Sequence, residues 1–330
     1  MRIYIIDIKK NVYALVMTKN VHKSDEQDYT VKTRETLEQW FASTVDGIYF
    51  AHQPIYGFRT PYASTSNIGR YMITKSILNA VGRYECKNFI DVGGAEGYTA
   101  NLVREIFKVP VMTTDLSETA CEMARKIFNI DAKQSDIHNL PFSNESFDTV
   151  LCSETIEHVA DYKKAIVELL RITRNVLIIT VPHETPEIVA ANIRNKAPHG
   201  HIHYFDVHTL DYLKQEGYQV AYKKTLSPLL VIPRIIIEGY RKNEEKWHYR
   251  IYNRLTPLFK KVFGIGSANR MVDADDAFCS LFGSYGGITF TIIKTGYKAV
   301  ENPEIIKARN FTGIKTGEYV VAAPLSYHSR

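Results

Sequence analysis

Acid and imidazole side chains gather in Ser153-Glu154-Thr155-Ile156-Glu157-His158-Val159, directly after the apolar run Phe147 to Cys152. If a helical turn starts there, Glu154, Glu157 and His158 stand at i, i+3 and i+4 and share one face. Two carboxylates and an imidazole on one face can hold a divalent cation, with water or a substrate oxygen completing its shell. A fourth ligand is on offer downstream, where five of the eleven histidines lie between His183 and His208. An extended Pro198-His199-Gly200-His201-Ile202-His203 would turn His199, His201 and His203 to one side, because side chains alternate along such a chain. The plainer reading makes His199 and His203 hydrogen-bonded loop histidines, and Glu157-His158 an acid and an imidazole that merely shape a pocket.

Three further carboxylates recur at a different spacing. Phe89-Ile90-Asp91-Val92-Gly93-Gly94-Ala95-Glu96-Gly97-Tyr98 reads as a strand, a glycine-rich turn and a helix start, so a ligand is expected against that turn. Asp115 follows 24 residues after Asp91 and ends the next apolar run, where a carboxylate can accept from two ribose hydroxyls. Asp136 comes 21 residues later. A nicotinamide-type fingerprint would want glycines at 93, 95 and 98; Ala95 and Tyr98 disfavour it.

Elements able to position these groups are legible around them. Short apolar strands at 89–92, 109–114, 147–152 and 176–181 alternate with amphipathic helices. In the helix 161–173, Tyr162, Ala165, Ile166, Leu169 and Leu170 form one stripe that must pack on a sheet. Strand and helix in alternation predict a doubly wound, parallel α/β domain with its ligand at the carboxyl ends of the strands. After it come a helix 206–216 closed by Gly217, a strand 218–225 and an alternating strand 287–295. Before it, residues 1–18 suggest a hairpin, Leu37, Trp40 and Phe41 share a side of a helix 33–44, and Ser66 caps a helix running to Val81. The expected division is an N-terminal extension (1–65), a ligand-binding core (66–228), a basic amphipathic insertion (229–285) and a final strand with tail (286–330).

The ordered set of Asp91, the glycine turn, Asp115, Asp136 and Ser153 resembles the class I S-adenosylmethionine-dependent methyltransferases over 88–225 plus the strand near Gly287. The resemblance implies a Rossmann-like methyltransferase sheet. Gly93, Gly94 and Gly97 would let the backbone approach the methionine part, with Asp91 anchoring the turn. Asp115 would hold the ribose, Leu116 would lie against the adenine, and Asp136 beside Ile137 would accept from its amino group. Ser153 would line the sulfonium end. Glu-x-x-Glu-His with a later histidine resembles two metal-dependent O-methyltransferase groups, the ubiquinone-biosynthesis enzymes and the small-RNA enzymes that modify a 3′-terminal ribose. In the second comparison His201 matches the later ligand. The implied metal set is Glu154, Glu157, His158 and His201, for Mg²⁺, Mn²⁺ or Zn²⁺. His158 and His201 are the expected catalytic pair.

The chain has 330 residues, 45% apolar and 23% charged, which excludes a fibrous or disordered protein. Its longest apolar run, Val12 to Met17, is far shorter than the roughly 20 residues a spanning helix needs. Met1-Arg2-Ile3-Tyr4-Ile5-Ile6-Asp7 does not read as a secretory signal, so a cytoplasmic protein with reduced core thiols is expected. Net charge is +5, yet 229–270 alone carries nine basic against three acidic residues, a local +6. Trp247, Ile251, Leu255, Leu258, Phe259, Val262 and Phe263 keep helical spacing there, broken at Pro257, among Arg250, Arg254, Lys260 and Lys261. That suits a substrate lid packed through its apolar face, or a peripheral contact with the inner face of a membrane. The expected activity is O-methylation of a small molecule, a sugar or glycan, or a lipid-linked intermediate. The alternatives are a non-catalytic S-adenosylmethionine-binding assembly or membrane-surface factor and an RNA 3′-end 2′-O-methyltransferase. Nucleic acid is the weaker partner, because no RNA-binding module is recognisable.

Overall fold

The computed structural model describes residues 23–45, 48–49, 67–195, 197, 199–231, 247, 250–251, 254–255, 258, 266–294 and 296–297. The expected hairpin at 1–18 and the Ser66 cap lie outside them.

Seven strands form one sheet: β1 (Phe89–Val92), β2 (Val111–Asp115), β3 (Asp131–Gln134), β4 (Phe147–Ser153), β5 (Thr173–Pro182), β6 (Gln219–Thr225) and β7 (Gly287–Ile293). Their order is β3-β2-β1-β4-β5-β7-β6. All pairs from β3 to β5 are parallel, and β7 slots antiparallel between β5 and β6. Strand order reverses between β1 and β4, which opens a crevice at their carboxyl ends. The doubly wound α/β fold is therefore present.

Helices cover both faces. Phe89 belongs to one buried cluster, with Ile77 and Leu78 of α2 (Asn67–Val81) and Leu102 of α3 (Tyr98–Phe107). The next residue, Ile90, belongs to the other cluster, with Ile166 and Leu169 of α5 (Tyr162–Ile172). That alternation is the period of two expected of a strand buried on both sides. Asp161 starts α5 by accepting from the amides of Lys163 and Lys164 at 3.0 and 3.1 Å. All five residues of its predicted stripe are buried, and sequestering a side chain such as Leu169 is worth about 2 kcal/mol.

Three elements depart from expectation. The helix predicted at 33–44 begins earlier, as α1 (Lys23–Ala42). Its first half carries few apolar residues, so periodicity gave no signal there, although the pair Lys32–Asp28 at i, i+4 supports it. Strand β3 has a mostly exposed, polar sequence, Asp-Ala-Lys-Gln, and sits at the sheet edge. The helix expected at 206–216 is mostly turns, with only α7 (Tyr212–Gln215) helical before Gly217 at φ +93°. The remaining helices are α4 (Glu118–Met123), which runs into a π-helical turn at Ala124–Phe128, α6 (Pro186–Asn195) and α8 (Gly266–Phe282). Among the described residues no helix is long and apolar enough to cross a membrane.

Candidate active site

The glycine turn after β1 is fastened to the neighbouring strand, since the amides of Gly93 and Gly94 both donate to the Thr114 carbonyl at 2.8 and 3.0 Å. A Cβ on Gly94 would sit 2.3 Å from Thr113 Oγ1, and one on Gly97 2.5 Å from Ile130 Cδ1. Both glycines thus serve the packing of the turn on β2 and the residues around the π-helical turn, and neither lines the main cavity. Gly93 does line it, at φ +75°, and a Cβ there would strike Thr155. Ala95, where the family pattern has glycine, adopts the left-handed conformation at φ +48° and keeps the turn's shape.

Asp91 is buried beneath this turn, outside the cavity lining, with Oδ1 lacking a partner among the described residues. Burial, helped by the nearby Asp115 charge, pushes its carboxyl up to about 8 from an ordinary 3.8. The fold therefore favours the protonated acid, and that contribution, complete below the unfolded value, is lost as pH rises through about 8. Ligand-free Asp91→Asn is expected to melt close to wild type at pH 5 and at least about 4 °C above it at pH 9. An equal difference at both pH values in thermal melts would show that Asp91 is not the buried acid described.

The main cavity lies at the carboxyl ends of β1, β2 and β4 and encloses about 740 Å³, part of it open to solvent. Asp115, Leu116, Asp136 and Ile137 line it, as the sequence predicted. Asp115 accepts from the Ala95 amide at 3.0 Å and the Ser117 amide at 2.9 Å, which fixes its carboxylate. Burial still raises it to about 6, those amide bonds opposing the shift. Burial would also raise Asp136, but hydrogen bonds from the His138 ring and amide outweigh it and hold the carboxyl below its ordinary value.

Helix α1 roofs the cavity with Tyr29, Thr33, Leu37 and Phe41. Its Glu38 clamps the start of α4, accepting from Ser117 Oγ and the amides of Glu118 and Thr119 at 3.0, 2.7 and 3.1 Å. A carboxylate at a helix N-terminus is favourable, so the clamp holds the roof where it is needed. A second cavity, of about 470 Å³ including open solvent, shares Gly93, Ala95 and Glu154 with the first. Ser153 lines this second one, with Arg70 of α2 on its wall. Arg70 bears on the charge of both Glu154 and Glu157, yet nothing in its sequence surroundings marks it.

Beyond β4 the chain does not make the expected helical turn. Glu154 takes a left-handed φ of +51°, and residues 154–160 form bends closed by the His158 amide on the Thr155 carbonyl at 3.0 Å. Glu154 therefore leaves the shared face, and its Oε1 accepts from Thr180 Oγ1 at 3.0 Å instead. Glu157, His158 and His201 do converge, with donor atoms all within 4.8 Å of one another. The Ile202 amide donates to the Glu157 carbonyl at 2.9 Å and ties the histidine loop to this turn. Glu184, which sequence reasoning passed over, sets its Oε2 2.9 Å from His201 Nδ1.

His199 also reaches the cluster. Its ring stacks on His158 with centroids 3.8 Å apart, and Trp40 of α1 meets its edge at 5.5 Å. Burial pushes His199 down to about 4, so it is neutral at physiological pH. His203 turns away to bond the Val159 carbonyl through Nε2 at 2.6 Å, the plain loop role. The positive φ at His199, four residues before His203, breaks the alternation that would have aligned all three. Glu157 is 1% exposed, and neither carboxylate oxygen has a hydrogen-bond partner among the described residues. Burial, with the Glu154 charge adding to it, drives its carboxyl well above the ordinary range.

Residues 90–178 match the family described as "Methyltransferase domain". An uncharacterised methyltransferase of Bacillus subtilis, YcgJ, is 29% identical over 113 residues, which is 31% of this chain and 44% of that protein. A probable S-adenosylmethionine-dependent methyltransferase of Mycobacterium tuberculosis is 27% identical over 104 residues, 31% of this chain and 38% of the relative. The chain thus spans less than half the length of these relatives. In fold it is similar to phosphoethanolamine N-methyltransferase 2 of Haemonchus contortus, with a TM-score of 0.51 and 16% identity over 80% of this chain and 60% of that one. In sequence residues 90–178 thus match a methyltransferase domain, and in fold the sheet is similar to those of class I methyltransferases.

Proposed function

We propose that the protein transfers a methyl group from S-adenosylmethionine to an oxygen of a small-molecule, sugar or lipid-linked acceptor, with a divalent cation at Glu157, His158 and His201. The observation that carries this reading is the convergence of those three side chains around Glu157, a buried carboxylate with both oxygens unsatisfied. A buried charge of that kind is stable only when protonated or neutralised by a cation. The cluster touches the main cavity through His158, where the reacting groups would meet.

The residues divide the work. Asp115 holds the ribose from an anchored position, Leu116 and Ile137 enclose the base, and Asp136 faces its amino group. A nucleoside in the main cavity directs its amino-acid end past Gly93 into the second one, where Arg70 meets the carboxylate. The acceptor oxygen would bond to the methyl carbon in line with the breaking carbon–sulfur bond, S-adenosylhomocysteine leaving as the neutral thioether and the hydroxyl proton passing to water, so positioning is most of the catalysis. A cation bound there supplies Lewis acidity, making a hydroxyl a better nucleophile at neutral pH. Glu184 stands 2.9 Å from the His201 ring and His199 stacks on His158, so each imidazole has a neighbour that can orient it. Neither the non-catalytic alternative nor the RNA 3′ end is favoured by any feature of the site.

Titration with S-adenosylhomocysteine is expected to give one site per chain, and Mn²⁺ titration followed by electron paramagnetic resonance one further site. Transfer of labelled methyl to phenolic, sugar and lipid-linked acceptors should cease on chelation and return with Mn²⁺. Transfer that ignores chelation would remove the metal, and label found only on nitrogen would remove the O-methylation reading.

A further inference from the structure

We propose that the insertion between β6 and β7 seats the protein on an anionic lipid surface through the helical residues Trp247, Ile251, Leu255 and Leu258. Among the described residues, eight of the thirteen exposed large apolar side chains lie between Leu229 and Phe282. Surface apolar residues scattered singly need no explanation, but a concentration in one segment does. Trp247 is 72% exposed and Leu258 57%, so more than half of each side chain is open to solvent. At 3.6 residues per turn, positions 247, 251 and 255, ahead of Pro257, share one side of a helical pattern. Arg250 and Arg254, also helical and exposed, fall along the margin of that same side.

This combination selects the occupant. An apolar stripe with a tryptophan at one end and guanidinium groups beside it matches the boundary between acyl chains and anionic headgroups. The local +6 of residues 229–270 complements such a surface, whereas the rest of the chain sums to −1. The insertion is also rooted beside the site. The Gly286 amide donates to the carbonyls of Thr225 and Leu226, each at 3.0 Å, which pins both ends of the insertion together. That junction pairs with Pro182, where β5 ends and leads into His183 and Glu184. Both ends of the insertion are thus anchored at the catalytic end of the sheet, which favours the lipid-linked acceptor class; that last step rests on the methyltransferase reading.

The test uses the full chain and needs no turnover. Wild type is expected to sediment with phosphatidylcholine vesicles containing a quarter phosphatidylglycerol at low ionic strength, and to be released by salt. Trp247→Glu/Leu258→Glu should stay in the supernatant while binding S-adenosylhomocysteine as wild type does. Arg250→Gln/Arg254→Gln should partition roughly 25-fold more weakly. Vesicles should shift tryptophan emission to the blue in wild type and not in Trp247→Phe. Wild type left in solution, equal sedimentation with neutral vesicles, or sedimentation unaltered in the glutamate variant would each overturn the proposal. So would a glutamate variant that instead converts a dimer to a monomer in sedimentation velocity, since the face would then join copies of the chain. Loss of S-adenosylhomocysteine binding by wild type without vesicles would count against the methyltransferase reading alone.

Discussion

Asp115→Ala is expected to weaken binding of S-adenosylmethionine and S-adenosylhomocysteine by at least about 100-fold. A carboxylate accepting from two ribose hydroxyls makes two charge-assisted hydrogen bonds, each worth roughly 1.5–3 kcal/mol, and about 2.7 kcal/mol already corresponds to 100-fold. Its geometry supports the full effect, because the Ala95 and Ser117 amides hold the group in place before any ligand arrives. Those same amides lose an acceptor in the alanine variant, so thermal melts must accompany calorimetry. Asp115→Asn, which keeps a carbonyl oxygen for one of them, should weaken binding about tenfold with little loss of stability. Burial raises the wild-type group to about 6, which adds a second signature. Below that pH the protonated acid accepts less well, so affinity should fall as pH drops through 6, and Asp115→Ala should show no such step. Affinity of Asp115→Ala within threefold of wild type would place the ribose elsewhere.

Most of what positions this site was readable because strong hydrophobic patterns surround it. The buried stripe of α5 and the apolar runs of β1, β4 and β5 are strong signals, and periodicity locates such elements well. Asp115 and Asp136 were found through their places after β2 and β3, although β3 itself, exposed and polar, was not. The glycines were recognised as a turn, but their neighbours were not. Whether a missing Cβ makes room for a ligand or for Thr113 and Ile130 depends on how β2 and the π-helical turn pack, and local sequence does not contain that. The helical turn assumed for Glu154 failed for a similar reason. Nothing in the residue types announces φ +51°, a strained conformation held by the hydrogen bond of the Glu154 amide to Thr180 across the sheet. Arg70, Glu184 and Glu38 went unseen because each is an ordinary charged residue of a helix or loop until the fold brings it to partners 17 to 87 positions away.

Glu157→Gln and His201→Ala are each expected to abolish the cation site and to lower methyl transfer by about 100-fold to 10,000-fold, with binding of S-adenosylhomocysteine unchanged. The two substitutions remove different donors from one coordination sphere, so their effects should not add: the double variant should be no slower than the worse single one. Stability gives an independent reading. A cation that binds only the folded protein stabilises it by about 2.7 kcal/mol at 100 times its dissociation constant, so Mn²⁺ should raise the melting temperature of wild type and leave both variants where they were. Glu154→Gln separates this account from a looser acidic cluster. Its carboxyl is turned to Thr180 and stands outside the three converging donors, so it should retain the cation and most of the thermal shift. The competing account makes His158 a general base without a metal, since its Nε2 lies 3.6 Å from Glu157 Oε1 and the acid could orient the ring. On that account chelation changes nothing, Mn²⁺ produces no thermal shift, and His201→Ala is nearly silent because His201 has no proton to move. Activity that survives both chelation and His201→Ala but disappears in His158→Ala would decide for the base.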